Sequence, residues 1–233
     1  MFSADHMRYE QLDRPVWNAL TTRWAAIAEG DARAWRIDRD YGVFGAAADR
    51  SSESLAALAA LVPEQGELWM VEREDWPAPP GTRFVRQAEC VRMICEGLAV
   101  GKPPTFEIVD LNEDDAPAMY DLATLTQPGP YAAQTNRLGD FIGVKQDGAL
   151  IAMAGERMKM PGLSEVSGVC THPDHRGRGY AGALMRVVAE RMLARGETPW
   201  LHAYASNVGA IALYESLGFR LNGTVTASIL VRT

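Results

Sequence analysis

The sequence predicts a mixed α/β (α+β) fold in two parts, residues 1–103 and residues 104–233. Apolar residues make up 47% of the 233, which is sufficient for a packed core. They recur both at the two-residue spacing of strands and at the three- to four-residue spacing of helices. In Gly101-Lys-Pro-Pro104, two successive prolines prevent a helix from continuing. We therefore place a boundary there between a smaller N-terminal domain and a larger C-terminal domain.

The N-terminal part alternates helical and extended patterns. Helices are predicted near residues 13–29 and from Ser52 to Leu61. Strands are predicted as a pair within residues 35–48, at residues 68–72 and at residues 84–93, with a proline-rich turn at residues 76–81. This pattern is typical of a small α/β domain, and it is compatible with a reduced copy of the second part that lacks a phosphate-binding turn.

The C-terminal part has a clearer pattern, in the order βαβββαβαβ. Strands are predicted at residues 106–111, 141–145, 149–158, 164–171, 200–205 and 224–231, and helices at residues 114–124, 179–194 and 208–217. Asp147-Gly148 lies between two of the strands and suits the positive φ angles of a tight hairpin turn.

Charge and composition exclude several classes of protein. The net charge of −7 and the pI near 5.2 disfavour a nucleic-acid-binding surface, which needs clustered Lys and Arg. Three cysteines without CxxC spacing, Cys90, Cys95 and Cys170, suit reduced thiols. No apolar run reaches the roughly 18 residues of a membrane span, and Met1–His6 lacks a signal pattern. We expect a cytoplasmic protein with neither a nucleic-acid nor a membrane partner.

The most informative segment is residues 169–181, where a strand leads through a glycine-spaced turn into a long amphipathic helix. Gly177 and Gly179 lack a Cβ, so the backbone can curl tightly and direct several amide N–H groups at one ligand. The dipole of the following helix adds partial positive charge. The turn therefore predicts an anion site, with a pyrophosphate as the expected ligand.

This turn has three alternative interpretations. Gly177, Gly179 and Gly182 form a literal GxGxxG, but the strand after the helix ends in Ala203-Tyr-Ala-Ser206 without the acidic residue of a dinucleotide fold. An ATP-type phosphate loop fails because no Gly-Lys-Ser/Thr closes the turn. A purely structural turn remains open, although each glycine costs about 1 kcal/mol at a helix start that Ser or Asp would cap better.

Two motifs resemble signatures of the GNAT acetyltransferase superfamily. Arg176-Gly-Arg-Gly-Tyr-Ala181 resembles its acyl-CoA signature, and Asn207 through Gly218-Phe219 resembles its second signature. The resemblance covers residues 104–233. It implies a mixed, mostly antiparallel sheet flanked by helices, with acetyl-CoA as the acyl-donor cosubstrate.

The resemblance also implies a cofactor site between two splayed strands. Backbone groups of Val169 and Thr171 would bind pantetheine amides, and the amides of residues 176–181 would bind the pyrophosphate. Arg178 fits a solvated surface residue equally well, whereas Asn207 is a favoured helix cap whatever the function. The implied cofactor-binding residues are Val169, Cys170, Thr171, Arg176, Gly177, Arg178, Gly179, Tyr180, Ala181, Asn207, Ala210 and Tyr214.

The resemblance assigns Glu165 as the general base and Tyr214 as the acid that protonates the CoA thiolate. Strand alternation predicts that Glu165 and Val169 share one face, and the Val169 N–H is the implied oxyanion donor. Glu165 also fits a strand-edge surface position, and Tyr214 also fits a core position.

Two further chemistries are disfavoured by the sequence. Cys170, His172 and His175 lack a fourth zinc ligand nearby, so no metal is expected. An acyl-cysteine at Cys170 has no assured activating base, so direct transfer in a ternary complex is favoured.

Acceptor choice is expected to depend on the loop at residues 127–139, on the hairpin and on the first part. The expected acceptor is a primary amine, either a small molecule or a peptide amino terminus, and a homodimer is compatible with the sequence. Aromatic residues of the first part are interpreted mainly as core: Trp35, Tyr41, Phe44, Trp69 and Trp76. The alternative to an enzyme is a non-catalytic acyl-CoA sensor or interaction protein.

Overall fold

The computed structural model describes residues 8–233, which contain eleven strands and five α-helices. Met1–His6, where the sequence shows no signal pattern, lies outside the described residues. The strands are β1 (Ala28–Asp31), β2 (Ala34–Ile37), β3 (Gly45–Ala47), β4 (Leu68–Glu72), β5 (Thr82–Ile94), β6 (Val109–Leu111), β7 (Phe141–Gln146), β8 (Ala149–Met160), β9 (Leu163–Thr171), β10 (Thr198–Tyr204) and β11 (Arg220–Arg232). The helices are α1 (Pro15–Leu20), α2 (Ser52–Leu61), α3 (Ala116–Thr126), α4 (Tyr180–Ala194) and α5 (Val208–Leu217).

Strands from both parts of the chain share one eight-stranded sheet, in the order β4-β11-β5-β10-β9-β8-β7-β6. All neighbours in this sheet are antiparallel except the parallel pair β9 and β10. This confirms the predicted mixed, mostly antiparallel sheet. β5, from the N-terminal part, lies between β10 and β11, which both come from the C-terminal part. The two parts are therefore joined through one sheet, and the division at residues 101–104 stays a prediction.

The two faces of this sheet are covered by different elements. Leu184, Met185 and Val188 of α4 pack on one face in a cluster that also contains Leu217 of α5. α1 and the segment before it pack on the other face, in a cluster that also contains Trp200. A smaller sheet, in the order β1-β2-β3, adjoins the large sheet through the Phe44–Trp69 bridge. No helix within residues 8–233 has both the length and the apolar character needed to cross a bilayer.

The element order predicted for the C-terminal part is confirmed. Asp147 and Gly148 have φ angles of 52° and 81°, as a tight hairpin turn requires. The predicted helix near residues 13–29 is present but shorter, because α1 ends at Leu20 and β1 begins at Ala28. The hydroxyls of Thr21 and Thr22 donate to backbone carbonyls one turn earlier, where such side-chain bonds compete with helix continuation.

A β-bulge in β9 changes which side chains share a face. Gly168 has φ 62°, and the register with β8 jumps from Ser167 to Cys170 at this point. Val166 and Val169 therefore both pack in the cluster around α4. Glu165 lies on the opposite face, so the predicted alternation, with Glu165 and Val169 on one face, is wrong.

Candidate active site

The site lies where β9 and β10 separate. These parallel strands are in register only from Leu163 to Glu165, opposite Thr198 to Trp200. β9 continues to Thr171 and β10 to Tyr204, beyond that pairing. Their facing backbone groups are consequently available to a ligand in the gap. This is the splayed arrangement that the resemblance implies.

The glycine turn lies at one end of this gap. Gly177 and Gly179 have φ angles of 75° and 82°, a region that residues with a Cβ rarely adopt. A Cβ added to either glycine would meet no atom within 4 Å, so both face open space. Gly179 is the N-cap of α4 and provides no side-chain hydrogen bond. The first amides of α4 therefore remain available, together with the positive end of its dipole, and the turn fits a pyrophosphate.

The groove at this turn has a volume of about 440 Å³. It brings together most of the predicted cofactor-binding residues: Val169, Cys170, Thr171, Arg176, Gly177, Arg178, Gly179, Tyr180 and Ala181. The side chains of Arg176 and Arg178 are exposed beside the turn. They donate to the backbone carbonyls of Thr171 and Asp174, each at 3.4 Å.

The remaining predicted cofactor residues lie on α5. Asn207 caps this helix, since its Oδ1 accepts a 3.3 Å hydrogen bond from the Ala210 N–H. Ala210 lines neither the groove nor the smaller cavity described next. Its backbone N–H instead donates to the side chain of Asn207. Asn207 and Tyr214 both line that smaller cavity.

The smaller cavity, about 130 Å³ in volume, shares Val169 and Pro128 with the groove and thus continues it. Residues of β9, β10 and α5 line it, including Glu165, His202 and Tyr214. Its other walls come from the first part of the chain and from the loop that the sequence links to acceptor choice: Trp69, Cys90, Pro128, Gly129 and Pro130. Glu165 and Tyr214, the two predicted catalytic residues, therefore line the same cavity.

Glu165 is a buried, ion-paired carboxylate rather than a surface residue at a strand edge. Arg157 donates from Nε to Oε2 and from Nη2 to Oε1, both at 3.0 Å. The Met158 N–H donates to Oε2 at 3.2 Å. Burial alone would raise the pKa of Glu165, but attraction to Arg157 and His202 outweighs burial and lowers this pKa to about 2. Glu165 therefore stays ionised and holds protons weakly.

His202, which sequence reasoning missed, touches the same carboxylate. Its Nδ1 lies 2.9 Å from Oε1 of Glu165, and the side chain is 13% exposed. The contact does not meet the geometry of a hydrogen bond, but the two groups are close enough to interact electrostatically. The ring stacks on Trp200, with centroids 5.8 Å apart. One signal in the sequence could have identified His202. Strand alternation places it between Trp200 and Tyr204 on one face of β10, as a lone polar side chain between two aromatic ones.

Tyr214 is partly buried beside Phe219, and burial raises the pKa of its hydroxyl above the ordinary value. It consequently stays protonated at neutral pH and can act as a proton donor.

Cys170 is buried, and burial raises the pKa of its thiol to about 11. A thiol that stays protonated is a poor nucleophile, which disfavours an acyl-cysteine. Among residues 8–233, no three His, Cys, Asp or Glu side chains are arranged to hold a metal ion.

A larger cavity of about 650 Å³ lies apart from these residues, between α1 and β4. Its buried Glu72 is bound by Arg14, whose guanidinium also lies over Trp17 and Trp76. Burial raises the pKa of Glu72 to about 7, although its contact with Arg14 opposes that shift.

Comparison with known proteins agrees with this geometry. A family profile described as FR47-like protein matches residues 141–228. The chain is 30% identical over 118 residues to the ribosomal protein bS18-alanine N-acetyltransferase of Escherichia coli, spanning 48% of this chain and 79% of that protein. It is 32% identical over 103 residues to the N-alpha-acetyltransferase RimI of Mycobacterium tuberculosis, spanning 41% of this chain and 64% of that protein.

A solved structure shows that the likeness extends over nearly the whole chain. A GNAT-family protein from Novosphingobium aromaticivorans is 48% identical, with a TM-score of 0.86, over 95% of this chain and 98% of that chain. The splayed strands and the glycine turn thus belong to an acetyltransferase fold. The chain is a member of the GNAT family of acetyltransferases, which confirms the resemblance in its sequence.

Proposed function

We propose that the protein is an N-acetyltransferase that transfers an acetyl group from acetyl-CoA to a primary amine by direct attack in a ternary complex. The observation that supports this most is the continuity of two sites. A groove whose glycine turn suits a pyrophosphate leads into a small cavity lined by Glu165, His202 and Tyr214. A thioester at this junction would lie between a carboxylate cluster and a phenolic proton donor.

The backbone at the bulge supplies the remaining group. Gly168 and Val169 have no register partner on β8 or β10. The Val169 N–H is therefore suited to stabilise the oxyanion that develops as the amine attacks the thioester carbonyl. Tyr214 then protonates the departing thiolate. In this mechanism the cluster around Glu165 provides the route by which the amine loses its proton.

The acceptor proposed is a small molecule or a peptide amino terminus. The cavity volume of about 130 Å³ admits an amine with a small substituent. The Escherichia coli relative acts on an alanine of ribosomal protein bS18, as its name states, which supports an amino terminus as one candidate. A cytoplasmic location and a homodimer complete this proposal.

Titration calorimetry with acetyl-CoA tests the groove, with NAD as the control ligand. Saturable binding of acetyl-CoA alone is expected. A panel of primary amines and alanine-initiated peptides then tests turnover, measured as CoA thiol release. Binding without thiol release from any amine would contradict the enzyme and favour an acyl-CoA sensor.

A further inference from the structure

A single glutamate base would both hold the negative charge at the site and accept the proton of the amine. The cluster of Arg157, Glu165 and His202 offers different residues for these two roles. Glu165 is enclosed by Arg157, by the Met158 N–H and by His202. An amine that reached its oxygens would have to displace one of these partners. His202 is the more accessible member, since 13% of its side chain is exposed against 2% for Glu165.

We infer that His202 accepts the proton of the acceptor amine at Nε2 and that Glu165 is the positioning residue that orients the imidazole. This inference rests on the proposed acetyltransferase function. Nδ1 is buried and faces Oε1 of Glu165, so Nε2 lies on the other side of a ring that lines the cavity. A carboxylate on one ring nitrogen favours the tautomer in which the other nitrogen carries the lone pair.

The charge pairing around His202 leaves its imidazole able to receive a proton. Arg157 already neutralises Glu165 through two hydrogen bonds. Arg92, the register partner of His202 on β5, is paired with Asp13. Both neighbouring arginines therefore already have carboxylate partners, and a neutral imidazole that receives a proton here would be stabilised by the adjacent Glu165 carboxylate.

The titratable groups around His202 contact it, lie in register with it, pair with its register partner or line the same cavity. They are Glu165 on β9, Arg157 on β8, Arg92 and Cys90 on β5, Asp13 before α1, Tyr204 on β10 and Tyr214 on α5. Glu165 and Arg157 form one ion pair and Arg92 and Asp13 another. Imidazole is the side chain in this set whose class ordinarily titrates near neutral pH.

The step balances in atoms and charge. Nε2 takes one proton from the ammonium, and the neutral nitrogen forms the C–N bond with the acetyl carbon. The C–S bond breaks, and Tyr214 gives its proton to the thiolate. The tetrahedral adduct loses its second nitrogen proton to solvent, and the proton on His202 passes through solvent to the tyrosinate, so that both side chains are restored and one proton is released overall.

Kinetics with the His202→Gln variant provide the first test, using an amine that the wild-type protein acetylates. We expect kcat to fall by about 10²- to 10⁴-fold, with the Kd for acetyl-CoA unchanged. The acidic limb of the wild-type pH profile of kcat/KM is expected to disappear. Added imidazole should partly restore His202→Ala, and it should not restore Tyr214→Phe, which serves as the control.

Nitrogen NMR of the resting protein gives a second readout that needs no turnover. We expect His202 to carry its proton on Nδ1, and we expect that preference to weaken in Glu165→Gln. A proton on Nε2 in the wild-type protein would overturn the inference, as would a His202→Gln enzyme within about threefold of wild-type kcat. If the wild-type protein acetylates no amine, the proposed acetyltransferase function is refuted, and the role inferred for His202 is refuted as well.

Discussion

Arg157 binds Glu165 through two hydrogen bonds of 3.0 Å, one to each carboxylate oxygen. The two residues lie eight positions apart, on adjacent strands β8 and β9. Both are buried. Such a pair keeps its charges because each is the other's main partner, and losing either partner would leave an uncompensated charge inside the protein.

The first prediction is a loss of stability in acid that depends on Glu165. Its pKa is about 2 in the folded protein, below the ordinary value of 4.5. A lowered folded pKa gives stability that is present above pH 4.5 and is lost as the pH falls toward 2. The difference corresponds to about 3 kcal/mol. Urea unfolding of wild type and Glu165→Gln across this range should show a flatter pH dependence in the variant. Parallel curves would refute this prediction.

The second prediction concerns the glycine turn. Gly177→Ala and Gly179→Ala place a Cβ at positive φ in the space assigned to the pyrophosphate. We expect each variant to weaken acetyl-CoA binding at least about tenfold, which calorimetry would measure, and to lose about 1–2 kcal/mol of stability.

Gly196→Ala is the matched control for these variants. Gly196 follows α4, has φ 77° and likewise has no atom within 4 Å of an added Cβ. It should show the same backbone cost with unchanged acetyl-CoA affinity. Equal affinity losses in all three variants would argue against an anion site at the turn.

The third prediction concerns Tyr214. Tyr214→Phe removes the proposed proton donor but keeps the ring beside Phe219. We expect kcat to fall by about 10²-fold while the Kd for acetyl-CoA changes little, as measured by steady-state thiol release and calorimetry. Tyr120→Phe, at a site that is 44% exposed on α3, is the control and should retain full activity. An unchanged kcat in Tyr214→Phe would remove the tyrosine from the mechanism.

The fourth prediction is that residues 104–233 do not fold alone. The register partners of β11 are β4 and β5, both absent from this fragment. β10 would keep only its three register pairs with β9. We expect no cooperative unfolding transition for the fragment and recovery of the transition when residues 1–103 are co-produced as a separate chain. A cooperative fragment that binds acetyl-CoA would instead show an autonomous C-terminal domain.

Local signals in the sequence were sufficient for much of the fold. Ser51 and Asn207 each cap a helix whose predicted bounds match the structure. The Asp147-Gly148 turn and the glycine turn were equally local, because backbone conformation at these positions follows from the residue types themselves.

The features that the sequence did not predict both depend on how strands pair in the sheet. The bulge at Gly168 reverses side-chain alternation, and a glycine within a strand signals such a bulge only weakly. His202 is 37 positions from Glu165 in the numbering, and the contact arises because Trp200 lies in register with Glu165. Register between distant strands is set by the whole sheet, so a single sequence does not reveal these partners.

The position of β5 between β10 and β11 also determines when this protein can fold. Val225 pairs with Cys90 across more than half the chain, and the pairing runs along almost the full length of both strands. Such non-local contacts raise the contact order, and high contact order slows folding. During synthesis β11 leaves the ribosome after β4 and β5, the two strands with which it pairs. Until then β5 has an open edge where β11 belongs, and newly made chains are exposed to wrong strand pairing at that edge.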